Sequence, residues 1–244
     1  MNYYKITNEI ELHQNMQYQD GLNIDVLPFN PKGDCESGGI YFSSIDVLAF
    51  LDYGPWIRRV IIPEGETVYE NPDYPKKYKA HSVFLEPRRK IDFNIIKELI
   101  EEGANIYAGN SSAIKWAAKN GYLDVIKFLE AKGLYIHTCN DSALYFASEY
   151  GHLDVVKFLI EKGANIHALD DYAFRLASLN GHLDIVKFLF KKGAYMHALD
   201  SCAFRWAKLY NQSKIVKFII KKSSIYYKIK YLFAYIKYFQ YFMK

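Results

Sequence analysis

Gly151-His-Leu-Asp-Val-Val-Lys-Phe-Leu159 occurs three times in this chain at one spacing. Thirty residues earlier it reads Gly121-Tyr-Leu-Asp-Val-Ile-Lys-Phe-Leu129, and thirty later Gly181-His-Leu-Asp-Ile-Val-Lys-Phe-Leu189. A worn copy, Asn211-Gln-Ser-Lys-Ile-Val-Lys-Phe-Ile219, continues the series, and a half copy, Asn94-Ile-Ile-Lys-Glu-Leu-Ile100, precedes it. A fixed period without insertions is the signature of stacked structural repeats.

Each unit reads as two short helices. The first is predicted to open at Asn110, Asn140, Asp170 or Asp200, residue types favoured as N-caps, each followed by Ser or Asp. Alanine pairs at i, i+4 (Ala113/Ala117, Ala143/Ala147, Ala173/Ala177, Ala203/Ala207) leave room for a neighbouring backbone. The second helix opens with Asp124, Asp154 or Asp184 near the positive end of its dipole. Val125, Ile126, Phe128, Leu129 and their equivalents form its apolar face, and Gly103, Gly133, Gly163 or Gly193 closes it. Gly121, Gly151 and Gly181 turn the chain between the helices, and Asn211 can adopt the same positive φ. Helices of about ten residues cannot bury such faces alone, so the units must stack.

At these residues the chain resembles the ankyrin repeats: GHLDVVKFLIEKGANIHA (151–168) follows the ankyrin pattern. The period is 30 residues where ankyrin units have about 33. The Thr-Pro-Leu-His signature is replaced by Ser142-Ala-Leu-Tyr145 or Tyr172-Ala-Phe-Arg175. The missing residues fall between His167-Ala168 and the next helix, so the projecting turn should be shortened. The resemblance implies an all-α solenoid over residues 91–222: a half repeat at 92–106, then units 107–136, 137–166, 167–196 and 197–222. It also implies a non-enzymatic scaffold that binds a partner protein on a concave face. Residues 223–244, rich in lysine and aromatics, read as a capping helix or tail.

Residues 1–90 differ in kind. All seven prolines lie there, between short β-like runs at Tyr3–Thr7, Leu22–Phe29, Gly39–Phe42, Ile57–Ile62, Thr67–Tyr69 and Ser82–Leu85. A helix is predicted over Ser43–Leu51, opened by a capping box at Ser43-Ser-Ile-Asp46. The fold class is therefore a small α+β domain followed by an all-α ankyrin-type solenoid, with the boundary near Arg88-Arg-Lys90. The phrases FNPKGDCESGGIYF (29–42) and YGPWIRRVIIPEGETVYENPDYPKKYKA (53–80) resemble a module that precedes ankyrin repeats in giant DNA viruses of amoebae. That resemblance implies a viral protein that contacts its host, and carries no activity.

Charge is distributed unevenly. The net +4 comprises −3 over residues 1–91, −3 over 92–200 and +10 over 201–244. The basic end, Tyr226-Tyr-Lys-Ile-Lys-Tyr-Leu-Phe-Ala-Tyr-Ile-Lys-Tyr-Phe239, reads first as a cap with solvated lysines. Contact with nucleic acid or a membrane surface is the alternative. No uncharged apolar run reaches 18 residues, no secretory leader is visible, and three scattered cysteines make no disulfide framework. These features point to a monomer in a reducing intracellular compartment.

Candidate chemistry is sparse. No Walker A, HExxH, GxSxG or dinucleotide fingerprint is present, so neither cofactor nor small-molecule substrate is expected. Cys35, with His13 or His81 as base, is the one alternative enzymatic centre. His137, His167 and His197, and likewise His152 and His182, recur in register. Equivalent residues in stacked helices lie ~8–10 Å apart, too far for one ion that needs ~2.0–2.1 Å bonds, so no metal is assigned.

The binding surface is read from what varies. Residues 115/119, 145/149, 175/179 and 205/209 occupy i, i+4 positions on the first helices, within a constant frame. They are Lys115/Lys119, Tyr145/Glu149, Arg175/Leu179 and Arg205/Leu209. Together with Trp206 they are the candidate partner-binding residues; Tyr145, Arg175, Arg205 and Trp206 are the best anchors by residue type.

Overall fold

The computed structural model describes residues 2–13, 15–30, 38–71, 73–224 and 227. They form two compact units, Met1–Ala118 with Tyr122–Cys139, and Lys119–Gly121 with Asn140–Lys244.

The first unit opens with β1 (Tyr3–Thr7), β2 (Leu12–His13), β3 (Met16–Gln17), β4 (Gly21–Ile24) and β5 (Ile40–Phe42). A 3-10 helix at Val47–Tyr53 precedes β6 (Trp56–Ile61), β7 (Tyr69–Asn71), β8 (Lys77–Ala80), β9 (Ser82–Leu85) and β10 (Arg89–Lys90). Helices α1 (Phe93–Glu101), α2 (Ala108–Asn120) and α3 (Leu123–Ala131) follow. All pairings are antiparallel; one sheet runs β1-β6-β9-β4 with β10 also on β6, another β5-β8-β7, and β2-β3 form a hairpin. Ile40, Phe42, Val60, Tyr78, Val83 and Leu85 make its core.

Strands β1 and β9 fall where the alternation predicts them, and the other expected runs shift by one to a few residues. The predicted capping box does not form. Asp46 makes no capping bond; its Oδ2 accepts from Lys76 N (3.0 Å) and its Oδ1 from Asn105 Nδ2 (3.0 Å), while Ser43 Oγ donates to Lys76 O. With both side chains engaged elsewhere, the segment winds as a 3-10 helix. Strand β8 is unexpected, because two of its four residues are lysines. Lys79 is nevertheless buried: its Nζ donates to Asn30 O (2.7 Å) and lies 4.7 Å from the Tyr41 ring centre.

The second unit is helical: α4 (Thr138–Tyr150), α5 (Leu153–Glu161), α6 (Ala168–Asn180), α7 (Leu183–Lys191), α8 (Ala198–Leu209) and α9 (Ser213–Lys222). Its core is the expected one. Val155, Val156 and Leu159 are buried, as are Ile185, Val186 and Leu189, and Ala147, Ala177 and Ala207 are wholly enclosed. Asp154 lies in the first turn of α5 and accepts from Val155 N (2.9 Å).

The starts of the first helices differ from expectation. Asn110, Asn140, Asp170 and Asp200 are not N-caps; each is the middle of three successive left-handed residues, with φ between +47° and +61°. Asn, Asp and Gly tolerate that region, which compresses the connection into one tight turn in place of a projecting finger. The last residue of the turn then binds forward. Asp141 Oδ2 accepts from Asn165 N (3.1 Å), and Asp171 Oδ1 accepts from Tyr195 N (2.9 Å). In the first unit the equivalent amide, Asn105 N, donates to Ile45 O (2.6 Å), so the strand-rich part supplies what a preceding repeat otherwise would.

A second staple joins neighbouring repeats. His152 Nε2 lies 2.9 Å from Lys119 O, His182 Nε2 lies 2.8 Å from Glu149 O, and Gln212 Nε2 donates to Leu179 O at 3.1 Å. The acceptors are carbonyls, so both imidazoles carry the proton on Nε2. Each ring lies over a glycine of the preceding repeat: a Cβ at Gly151 would stand 2.6 Å from the His182 ring.

Candidate interaction surface

Four stacked side chains give the helical unit its most distinctive surface. The Tyr145 ring meets Tyr172 edge-on at 5.3 Å, and the Arg175 guanidinium lies 4.9 Å from Tyr172 and 5.4 Å from Trp206. Both Arg distances are within cation–π range, ~6 Å from the ring centroid. The row links α4, α6 and α8 across three successive repeats. Three of the four were singled out by sequence. Tyr172 was not, because its repeat equivalents Ser142 and Cys202 give no aromatic signal.

Arg175 lies within that row rather than on it. It is only 7% exposed, with Nε donating to Asp170 O (3.0 Å) and Nη2 to Leu169 O (2.8 Å). Arg205 repeats the clasp, donating from Nη2 to Leu199 O (3.2 Å), but is itself exposed. Part of the variation at this position therefore has a structural cause. Where the left-handed turn contains a leucine (Leu169, Leu199), the clasp residue is arginine; where it contains Gly109 or Cys139, Lys115 or Tyr145 stands there. A branched side chain with positive φ is strained, and the guanidinium holds the carbonyls that this conformation turns outward.

The remaining candidates lie nearer the solvent. Lys119, Glu149 and Leu179 are half-buried; their carbonyls receive the staples, which leaves their side chains to the surface. Lys119 Nζ stands 5.7 Å from the Tyr150 ring centre. Leu209 is 63% exposed, and Trp206 is half-buried. Lys115, also half-buried, has the same repeat position in the first unit.

The in-register histidines have structural work. Besides the two staples, His167 Nδ1 lies 3.0 Å from Asp171 Oδ1, and His197 Nδ1 lies 3.3 Å from Ser201 Oγ. Cys35 lies outside the described residues. Most of the basic C-terminal segment does too, but Tyr227 is described: its ring stacks on His197 at 3.4 Å, one repeat period away. No helix among the described residues is long and apolar enough to cross a membrane.

Comparison with known proteins places this arrangement. The family description "Ankyrin repeats (3 copies)" matches residues 88–170. "Uncharacterized protein R869" of Acanthamoeba polyphaga mimivirus is 36% identical over 133 residues, which cover 50% of this chain and 93% of that protein. Two proteins of the same virus named "Putative ankyrin repeat protein", R868 and R229, are 35% and 36% identical over 50% and 48% of this chain. The matched region spans 63% and 40% of their lengths, less than two thirds of either. Ankyrin repeats in general are non-enzymatic modules for protein–protein interaction. The repeat period, the staples and these relatives agree: the chain belongs to the ankyrin-repeat proteins of the giant amoebal virus type.

Proposed function

We propose that this chain is a non-enzymatic adaptor that binds a partner protein, of host or viral origin, through the face carried by its first helices. The observation behind the reading is the row Tyr145–Tyr172–Trp206, braced by Arg175 and flanked by Lys119, Glu149, Leu179, Arg205 and Leu209. Aromatic and arginine side chains on a rigid frame are the usual anchors of protein interfaces. Arg175 acts as a positioning residue, and the contacts come from the exposed members. The protein works as a monomer in a reducing intracellular compartment, and the stacking of Tyr227 on His197 favours a capping role for the C-terminal segment over contact with nucleic acid or membrane.

The test replaces Tyr145, Arg205 and Leu209 together with alanine and compares affinity capture from a lysate of the host cell. Capture should fall at least tenfold, equivalent to about 1.4 kcal/mol, while helical ellipticity at the assay temperature is retained. Equal recovery of the same proteins by wild type and variant would refute this surface.

A further inference from the structure

The second helices α5, α7 and α9 share one outward stripe, which turns basic in steps. Along α5 it reads Asp154, Lys157 and Glu161, along α7 Asp184, Lys187 and Lys191, and along α9 Lys214, Lys217 and Lys221. All of these are exposed, at i, i+3 and i+7, on the side opposite the buried Ile185, Val186 and Leu189 of α7 and Ile215 and Ile219 of α9. The last two stripes lie side by side. Phe190 of α7 meets Phe218 of α9 edge-on at 5.6 Å, and Lys222 Nζ stands 6.0 Å from the Phe190 ring centre.

This arrangement works against α9 itself. Lys214 occupies the first turn, at the positive end of the helix dipole, where α3, α5 and α7 place Asp124, Asp154 and Asp184. Lys214 and Lys217, three residues apart, and Lys217 and Lys221, four apart, are like-charged neighbours on one face. No acidic residue follows Asp200 in the sequence. A polyanion laid across the stripe relieves both the dipole and the repulsion.

The residue types choose among polyanions. Protein interfaces are depleted in lysine and anchored by aromatic and arginine side chains, which this stripe lacks. Single strands need exposed rings on which bases stack, yet Phe188, Phe190 and Phe218 are half-buried. A membrane surface needs an apolar face to insert, and Ile220, 38% exposed, is the one large apolar side chain that α7 and α9 expose. Lysine alone supplies point charges on flexible stems, which suit phosphates contacted without regard to base sequence. Neighbouring helices lie ~8–10 Å apart and duplex DNA carries one charge per ~1.7 Å of its axis, so each ammonium of the two rows has a phosphate in reach. We propose that the face of Lys187, Lys191, Lys214, Lys217 and Lys221 binds the phosphate backbone of duplex DNA without sequence preference. It belongs to the second helices and the partner surface to the first, so the two stand or fall separately.

The experiment titrates fluorescently labelled duplexes of about 20 base pairs, of two unrelated sequences, with the full chain and reads anisotropy across salt concentrations. The two duplexes should bind alike, with log K falling against log salt at a slope of about 4 to 5, from about 0.9 per phosphate neutralised. Lys187→Gln, Lys217→Gln and Lys221→Gln together should lower affinity at least tenfold and the slope by about 2 to 3, with helical ellipticity retained. Lys214→Asp restores the residue type of the other repeats; it should raise the urea midpoint yet weaken binding at least fivefold. Lys157→Gln, on the stripe that also carries two acids, should change affinity less than twofold. Unchanged affinity in the triple variant or in Lys214→Asp would overturn the proposal. So would a slope near zero, or tighter binding to a single strand of the same length or to phosphatidylserine vesicles.

Discussion

The two units bury polar groups in opposite ways. In the strand-rich unit the buried charges pair across long sequence distances: Glu11 with Arg58, Lys5 with the Tyr41 carbonyl, Lys79 with the Asn30 carbonyl. In the helical unit the buried polar groups bond at offsets that recur with the repeat. Ser148 and Ser178 donate to Leu144 O and Phe174 O within their own helices; Asp141 and Asp171 reach the next turn. The first pattern concentrates specificity in a few irreplaceable pairs, and the second spreads it over copies of one small bond. Loss of one bond should therefore loosen the whole strand-rich fold but only one interface of a nearly one-dimensional stack.

The sharpest break is Arg58→Met. It leaves Glu11 buried without its bidentate partner, also losing the bonds to Asp20 and Glu86 O, and should cost about 3–5 kcal/mol in urea titrations. Its effect should appear at Trp56, on the same strand, before it appears in helical ellipticity. The same pair fixes a pH dependence. Hydrogen bonding from Arg58 holds the Glu11 carboxyl below the usual glutamate range, against burial. Its folded pKa is depressed, so the stabilisation is full above the unfolded value, about 4.3, and is lost as pH falls through the lower folded value. Glu11→Gln should flatten that acid limb.

The repeat unit should respond less and more locally. His182→Ala leaves Glu149 O without its staple and should cost about 1–3 kcal/mol. His182→Gln should cost well under half of that, because Gln212 already makes the equivalent bond to Leu179 O. Gly151→Asn belongs to the same interface: asparagine accepts the φ of +87°, but its Cβ would meet the His182 ring, and about 1–3 kcal/mol should be lost. If His182→Gln were as damaging as His182→Ala, the staple would be a matter of ring packing, with no weight on the hydrogen bond.

The same contrast explains what could be read in advance. Repetition averages out local accidents, so the second-helix cores around Val155 and Ile185, the closing glycines and the family were legible from one sequence. The left-handed turns were not. Asn110, Asn140, Asp170 and Asp200 suit both an N-cap and positive φ, and only the forward bonds of Asp141 and Asp171 decide between them. Variation at 115, 145, 175 and 205 reads in the sequence as a recognition surface or as drift at exposed positions, yet Arg175 and Arg205 answer the strain at Leu169 and Leu199. In the strand-rich unit, which occurs once, no periodicity marked β8, the 3-10 helix or the partner of Arg58. Those depend on contacts between residues some 30 to 60 positions apart, such as Asp46 with Asn105.

Asn211 offers the mildest test of why glycine stands at the other turns. It occupies the position of Gly151 and Gly181 with φ of +58°, so positive φ by itself does not demand glycine here. Asparagine tolerates this region better than other L-residues, and Asn211→Gly relieves only a small local strain. The substitution also frees the unfolded chain, an opposing effect of about 0.4–1 kcal/mol. The two should cancel to within about 0.5 kcal/mol, measurable as an almost unchanged urea midpoint. Asn211→Ala, with a Cβ but no polar side chain to compensate, should lose about 1–2 kcal/mol. A gain well above 1 kcal/mol from Asn211→Gly would mean that backbone strain alone selects glycine at this turn. The glycines at 151 and 181 would then owe nothing to the room they leave for His182 and Gln212, and the second staple would be a consequence of the turn rather than its cause.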